Sequence, residues 1–472
     1  MDVMKKQLIT IKHSVLMLGL MPFCLQAENL LQVYQQALEN DPVYRAGIYQ
    51  HQADIEIYDQ AMAVLLPTIK FDASRTETKQ EIVSSDNTVY NKGSTSYPTD
   101  ELSLSLTQSL YSYSNWAYFK QAKEDVKRVA AELEDVKQEL LMRVADAYFN
   151  VLKKRDNYLG IHAEVTALEK HFELVELQVR NGLARTTDLL DSEARFLQAQ
   201  AREIEISNNL QDALQGIHEI TGSLPRSLVT LGDEMAMAEP DPYQVEAWLE
   251  NAQKNNPMIL AKRGALASAR QEIRRQQGGH YPTFDFVFTQ NNSETDGSLF
   301  GGGSEVDTQT FLVQMTLPLY AGGAVSSKVR ETESLYNKSK DDLELSWRET
   351  NRETRSAFTG VTSAISKVNA LKKSVEAYDL AVDVKQQSFE SGVTSSVTVL
   401  DAVRDLFIAR TEYSAARYDY LLNNLRLKRA VGTLNELDMQ QINSALLGED
   451  VSTDINAMEE TLGSESLALR QK

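Results

Sequence analysis

The sequence predicts a mixed α and β membrane protein in which one structural unit occurs twice. The first observation is a set of motifs that recur at a nearly constant spacing along the 472 residues. The second is that each copy has more than a hundred residues without proline, whose apolar positions follow the period of a coiled coil. The third is that each copy also has short segments in which apolar and polar residues alternate, as they do in β-strands.

The composition excludes two classes of protein. Acidic residues outnumber basic ones by 67 to 48, and the net charge of −19 argues against a nucleic-acid partner, which requires a basic surface. The mean hydropathy is −0.36, and no apolar run has the length of a transmembrane helix. These two properties exclude a protein that crosses a membrane with several helices.

The N-terminus has the pattern of a secretory signal. Three lysines precede an apolar core over residues 15–21, and Ala27 supplies a small residue for cleavage, so residues 1–27 are predicted to be a signal peptide. The alternative is a buried first helix, which Pro22 disfavours because it follows the apolar core directly. The only cysteine, Cys24, lies within the predicted signal, so the predicted mature chain has none.

Motifs recur 215 positions later near the start of each copy and 210 positions later further on. The clearest pairs are Asn40-Asp-Pro42 with Asn255-Asn-Pro257, Gly182 with Gly392, and Leu190-Asp191 with Leu400-Asp401. The predicted units are residues 28–238 and 243–447, joined by the rigid linker Glu239-Pro-Asp-Pro242. Residues 448–472 are rich in acidic and small polar residues and are predicted to be a disordered tail.

Each unit is predicted to contain one very long helix and one helix of about half that length. The long helices are expected over residues 115–181 and 323–391, and the return helices over residues 187–221 and 396–432. At about 1.5 Å per residue, the long helices extend roughly 100 Å. A soluble domain core does not need such a helix, so the protein is expected to span a long distance.

Each unit also has a predicted β-hairpin ahead of its long helix, at about 68–111 and 283–320. Alternation is clearest over Leu102–Leu110 and over Phe311–Leu319, and it is weakest over Ile69–Ala73. The alternating segments have about the 9–11 residues that a tilted strand needs to cross a bilayer. A small soluble sheet packed on the helices would alternate in the same way, but export of the chain favours contact with lipid.

The number of strands has a consequence for assembly. The polar stretches 78–98 and 290–307, which include Gly301-Gly-Gly303, are predicted to be loops, so each chain has four strands. Four strands cannot close a barrel, and a transmembrane β-barrel without unpaired strands then requires several chains. A cyclic homo-oligomer is therefore expected, and three copies would supply about twelve strands.

No residues are arranged for catalysis, for a cofactor or for a bound metal. None of the six histidines has the spacing of a His-Glu-x-x-His motif, and the predicted mature chain has no cysteine. His162 and His171 do not share a helix face and are expected on a helix surface. Gly301-Gly-Gly303 lacks the lysine of a phosphate-binding loop. We therefore expect no enzyme activity, no cofactor and no metal site.

With the repeat and the helix lengths, the two turns between helices resemble those of the TolC family of outer-membrane channel proteins. The turns are Arg180-Asn-Gly-Leu-Ala-Arg-Thr-Thr-Asp-Leu-Leu-Asp191 and Glu390-Ser-Gly-Val-Thr-Ser-Ser-Val-Thr-Val-Leu-Asp-Ala402. The resemblance covers nearly all of the predicted mature chain and implies a homotrimer. Three chains would share one transmembrane β-barrel, with four strands from each, continued by a long coiled-coil α-helical barrel across the periplasm.

The resemblance also implies a function. It predicts an exit duct in the outer membrane of a Gram-negative cell, in contact with outer-membrane lipid and with a periplasmic extension. The duct would dock with an inner-membrane ABC or RND-type transporter through a periplasmic adaptor (membrane fusion) protein. The cargo would be drugs and small molecules, proteins exported by type I secretion, or both. The alternative is an exported coiled-coil structural or adaptor protein without a channel.

Two positions in the second turn match the pore constriction of the family. Asp401 matches one of the aspartates that ring the constriction, and Thr398 stands at the position of the other. Three chains would thus place one ring of carboxylates there. Alternatively, Asp191 and Asp401 are solvated residues near helix starts, where the helix dipole favours a negative charge.

A network that closes the helix tips in this family is matched on one side only. Thr187 and Asp188 match its acceptors, whereas Phe389 and Thr394 replace the tyrosine and the arginine of the partner side. The resemblance therefore implies a closing network that is weakened or rebuilt in this chain. Gly182 and Gly392 match the glycines of the two tip turns.

Overall fold

The computed structural model describes residues 27–84, 93–232, 235–298, 301–391, 393–446 and 450–452, so the predicted signal up to residue 26 lies outside the described residues. The described chain is mostly helical, with one four-stranded and one two-stranded sheet. The helices are α1 (Leu30–Asn40), α2 (Pro42–Ile55), α3 (Ile57–Ala63), α4 (Tyr113–Arg180), α5 (Thr186–Thr221), α6 (Val245–Asn255), α7 (Pro257–Gln277), α8 (Ala324–Glu390), α9 (Ser396–Val431) and α10 (Glu436–Ala445). The strands are β1 (Thr68–Ile82), β2 (Gly93–Tyr111), β3 (Ser227–Val229), β4 (Thr283–Ser298), β5 (Gly301–Thr316) and β6 (Asp450–Ser452).

Two very long helices run through the molecule. Helix α4 has 68 residues and α8 has 67, and each extends roughly 100 Å. Helix α4 begins directly after the sheet, where the Ser112 hydroxyl accepts a hydrogen bond from the Asn115 N–H at 3.3 Å. Helices α5 and α9 return along α4 and α8 with 36 residues each. Within the described ranges, none of the helices is both long and apolar enough to cross a bilayer.

The recurring Asn40-Asp-Pro42 and Asn255-Asn-Pro257 motifs start helices in the same way. Asp41 caps α2 by accepting from the Tyr44 N–H at 2.7 Å, and Asn256 caps α7 by accepting from the Ile259 N–H at 3.1 Å. In both cases proline follows as the first helical residue, where its missing N–H has no intrahelical partner to lose. The two halves differ beyond this point, because α2 ends at Ile55 whereas α7 continues to Gln277.

The four-stranded sheet has the order β1-β2-β4-β5, and every neighbouring pair is antiparallel. Its strands are 15 to 19 residues long, so the expectation of about 9–11 residues is wrong. Much of the stretches 78–98 and 290–307, which were expected to be loops, is strand, and Gly301 begins β5. Pairing continues there without apolar alternation because polar side chains bond across the strands, as Ser96 does to Glu77 at 2.7 Å.

The largest hydrophobic core lies about midway along α4, where α1, α5 and α9 pack against this helix, and α10 adds Met439 and Ile442 to the same core. Long helices need this packing because an isolated amphipathic helix gains little stability in water. The largest side chains that are fully buried in this core include Tyr148, Phe149, Leu152, Leu425 and Leu427.

A small sheet ties both ends of the described chain to this core. Strand β6 (Asp450–Ser452) pairs antiparallel with β3, and Glu28 forms a parallel bridge to Leu228. The expectation of a disordered tail from residue 448 is therefore wrong for β6, because backbone hydrogen bonds to β3 order these three residues. Residues 453–472 lie outside the described residues.

Candidate functional site at the helix tips

The turn between α4 and α5 is built around a left-handed glycine. Gly182 has φ +73°, a conformation that residues with a Cβ adopt only with strain. Its N–H donates to the Val179 carbonyl at 3.0 Å, and the Leu183 N–H donates to the Gln178 carbonyl at 2.8 Å. This pair of bonds is a Schellman motif, which ends a helix and reverses the chain.

The turn between α8 and α9 has the same hydrogen bond 210 positions later. The Val393 N–H donates to the Ser388 carbonyl at 2.9 Å, and the Ser391 N–H donates to the Gln387 carbonyl at 3.0 Å. The predicted turn residue Gly392 itself lies outside the described residues. Leu183 and Val393 are both exposed, so each turn presents an apolar side chain to solvent in the single chain.

The residues at the helix starts after the turns are engaged locally. The Asp188 carboxylate accepts from the Arg185 N–H at 3.3 Å at the start of α5. The Thr398 and Ser395 hydroxyls lie 3.1 Å apart at the start of α9. The Asp188 contact satisfies a backbone N–H at a helix start, where such groups lack intrahelical acceptors, whereas the Thr398 contact joins only two side chains.

The predicted closing network is not assembled within one chain. Thr187 is exposed, whereas the Phe389 and Thr394 side chains are partly buried. In the part of the chain that the structure describes, no hydrogen bond joins Thr187 or Asp188 to Phe389 or Thr394.

Asp401 is instead bound by an arginine of the other half of the chain. Arg195 on α5 donates from Nη1 to Asp401 Oδ1 at 3.3 Å, and from Nε to Asp191 Oδ2 at 3.1 Å. Arg404, one turn further along α9, places its Nη1 3.8 Å from the same Asp401 oxygen. Its Nη2 lies closer to Asp405 Oδ1, at 3.2 Å. Asp401 and Asp191 therefore share one guanidinium group.

Sequence reasoning missed Arg195, although a signal was present. Shifting Arg195 by the repeat spacing of 210 leads to Asp405, so the two copies carry opposite charges at equivalent positions. Asp191 and Asp401 are also equivalent, but only Asp191 has an arginine four residues later on its own helix. This asymmetry marks a position where the two copies interact rather than repeat.

The linked side chains line a cavity of about 330 Å³ between α4, α5 and α9. A second ion pair crosses it, in which Arg202 Nη2 donates to Glu164 Oε1 at 2.9 Å. Its apolar wall is formed by Leu168 and Leu400. The described ranges contain no group of three or more His, Cys, Asp or Glu side chains placed to hold a metal ion.

The expectation that His162 and His171 lie on the helix surface is wrong for His171, and His162 is partly buried. His171 is 7% exposed, and it lies on α4 close enough to Arg195 and Asp191 of α5 to feel their charges. Burial lowers the pKa of His171, the charge of Arg195 lowers it further, and Asp191 opposes these effects in part. His162 lies between the helices as well, with Nδ1 2.6 Å from Glu203 Oε1 and its ring stacked on Tyr158.

Two segments of the chain match one protein family. The family model described as "Outer membrane efflux protein" matches residues 33–223 and 248–433. The first range holds α4 and α5, and the second holds α8 and α9. Both helix–turn–helix tips therefore lie inside the matched segments.

Individual proteins show the same relationship. The chain is 32% identical over 443 residues to outer membrane protein TolC of Escherichia coli, covering 91% of this chain and 87% of TolC. It is 28% identical over 424 residues to the proteases secretion protein PrtF of Dickeya chrysanthemi, covering 88% and 91%. The solved structure of the Campylobacter jejuni CmeC outer membrane channel has a similar fold, with a TM-score of 0.77 and 14% identity over 90% of each chain.

Proposed function

The chain belongs to the outer membrane efflux protein family, and on this premise we propose that it is an outer-membrane exit duct for efflux and type I secretion. The family description names efflux, and the name of the relative PrtF records the secretion of proteases. The single observation that carries the proposal is an exposed apolar sheet face at one end of helices of roughly 100 Å.

One face of the four-stranded sheet has the properties of a lipid contact. On its two outer strands Ile69 and Phe311 are each 70% exposed in the single chain, and Leu106 and Phe288 between them are partly buried. They lie in a row across all four strands, with Ile69 opposite Leu106, Leu106 opposite Phe288 and Phe288 opposite Phe311. The opposite face of β2 carries Ser103, Ser105 and Thr107. Such an asymmetry suits a sheet with lipid on one side and water on the other.

The apolar band also crosses the sheet at an angle. The band is centred near Phe71 on β1 and near Val313 on β5. Across the sheet, however, the residue of β5 in register with Phe71 is Gln309, reached through Leu104 on β2 and Gln290 on β4. The centre thus shifts by four residues, or about 13 Å, over three strand spacings of about 4.8 Å. The slope corresponds to a tilt of roughly 40–45°, close to that of strands in transmembrane barrels.

The sheet and the helices both support a homotrimer. In the sheet order, β1 and β5 each pair on one side only, so their outer edges offer unpaired N–H and C=O groups. Three copies would close a barrel of about twelve strands. The helices have exposed apolar side chains for the same contacts, including Leu190, Leu197 and Ile204 on α5 and Leu335, Leu345 and Leu380 on α8.

We assign the narrowest point of this duct to the helix tips. Asp401 and Thr398 would face the threefold axis at the start of α9. Thr187 and Asp188 of one chain would meet Phe389 and Thr394 of a neighbour, and Gly182 and Gly392 would shape the turns. The supporting observation is that the described members of this set lie at one end of the molecule, opposite the sheet along α4 and α8.

The partners follow from the position of the tips. A duct whose helices cross the periplasm would end near the inner membrane, where a periplasmic adaptor protein and an ABC or RND-type transporter would deliver cargo. We also propose that residues 28–238 and 243–447 are two copies of one unit. The matching caps at Asp41 and Asn256 support this division.

The test is the assembly and conductance of the purified protein. We expect a trimer in mild detergent by light scattering, extraction from membranes only with detergent, and stable pores in planar bilayers. A monomer with intact β signal would refute the shared barrel. Recovery in the soluble periplasmic fraction without detergent would support the alternative of a structural or adaptor protein.

A further inference from the structure

Asp401 does not have a free carboxylate in the chain. Arg195 Nη1 lies 3.3 Å from its Oδ1, and the Asp401 and Arg195 side chains are 42% and 40% exposed. Arg404 lies 3.8 Å away but is closer to Asp405, so Arg195 is the principal partner of Asp401. Water and small ions can still reach a pair with this exposure.

We propose that Arg195 is a selectivity-determining residue, which offsets the negative charge of Asp401 and weakens cation binding at the constriction. This inference rests on the proposed function, because Asp401 must face the passage. Three free carboxylates around an axis would offer calcium the hard oxygen ligands that it prefers. A guanidinium group bound to each carboxylate competes with the cation for Oδ1 and lowers the negative charge that attracts the cation.

Asp191 competes with Asp401 for the guanidinium group of Arg195. It lies one helical turn before Arg195 on α5 and accepts from Nε at 3.1 Å, so the two aspartates share one cation. Loss of the Asp191 charge would leave Arg195 to Asp401 alone. Loss of Arg195 would leave both carboxylates without this partner. The two substitutions should therefore change cation binding in opposite directions.

Arg202 provides a matched control. It lies on the same helix and lines the same cavity, but it binds Glu164 at 2.9 Å rather than Asp401. Arg202→Gln removes the same charge from the same region and leaves the Arg195–Asp401 pair in place. A general effect of net charge would appear equally in both arginine variants.

The experiment measures the calcium concentration that halves the current through single trimers in neutral phosphatidylcholine bilayers, with calcium added on the side of the helix tips. Arg195→Gln should lower this concentration by a factor of about two to five, the range that corresponds to an exposed ion pair. Arg202→Gln should have a smaller effect. Asp401→Asn should abolish the gain in the Arg195→Gln background.

Equal calcium block in Arg195→Gln and Arg202→Gln would overturn the inference. If Arg195→Gln does not assemble into trimers, Asp191→Asn decides, since it should raise the half-blocking concentration; a lower value would contradict our assignment. A wild-type protein that forms no pores would instead refute the proposed function. Pores of Arg195→Gln with an unaltered half-blocking calcium concentration would leave that function intact and remove only the role of Arg195.

Discussion

Leu106 of β2 lies directly opposite Phe288 of β4 in the antiparallel register, and this pair joins the two halves of the chain within one sheet. The Phe288 ring in turn packs against Phe311 of β5, with ring centroids 4.8 Å apart. The sheet therefore forms a single apolar surface from two hairpins that are far apart in sequence.

Leu104→Arg should impair assembly in the membrane, whereas Ser105→Arg on the opposite face should be tolerated. A charge that faces hydrocarbon near the midplane of the bilayer costs about 2–4 kcal/mol. The measurement is the fraction of protein that is recovered in the outer membrane and released from it only by detergent. Equal damage from the two neighbouring positions would mean that the faces of β2 are assigned wrongly.

Gly432→Ala should destabilise the protein more than Gly222→Ala, although both glycines end return helices at equivalent positions. Their φ values are +79° and +74°, so each alanine would cost about 1–2 kcal/mol for the left-handed conformation. Only at Gly432 would the new Cβ also lie 2.5 Å from a carbonyl oxygen, that of Asn255. Thermal melting of the helical signal in detergent measures the difference, and equal melting temperatures would contradict this account.

Tyr148→Phe should loosen the two-stranded sheet of β3 and β6. The Tyr148 ring is fully buried, and its hydroxyl donates to the Val229 carbonyl at 2.7 Å. Removing the donor leaves a carbonyl with one partner fewer in the core, at a cost of about 1–3 kcal/mol. Hydrogen exchange should become faster at β3, and the increase should be smaller at β1 and β2 of the four-stranded sheet. Unchanged exchange at β3 would show that this bond is dispensable.

The helix tips should lose stability in mild acid because of His171. Burial and Arg195 hold the pKa of His171 below its ordinary value of 6.5, so the unfolded segment takes up a proton more readily than the folded one. The stabilisation is complete above pH 6.5 and is lost as the pH falls from 6.5 towards the lowered pKa. Hydrogen exchange of residues 165–200 at several pH values measures it.

The control for this pH dependence is His171→Gln, which has no titrating group at the position. Its tip segment should show the same protection on both sides of pH 6.5 after correction for intrinsic exchange. If the wild-type protein and this variant respond to acid equally, another group controls the tips.

Several parts of the fold could be read from local patterns. The absence of proline and the coiled-coil period locate α4 and α8, because a helix depends on neighbours three and four positions apart. Alternation over Leu102–Leu110 likewise predicts β2, because successive residues of a strand point to opposite faces of the sheet. The strands are nevertheless longer than their alternating segments predict. Their outer parts are held by cross-strand pairing of polar residues, as between Ser96 and Glu77.

The sequence by itself determined the long helices, the apolar strands, the glycine at the Gly182 turn and the family resemblance, because each depends on residues close together in the chain. Only the tertiary structure decided that Arg195 binds Asp401 across 206 positions, that His171 is buried, and that β6 pairs with β3. The physical reason is that these contacts depend on how packed helices are rotated about their axes and on which strand lies beside which. Packing of the whole core determines the helix rotations and the strand order, and neither can be derived from a periodic pattern of neighbouring residues.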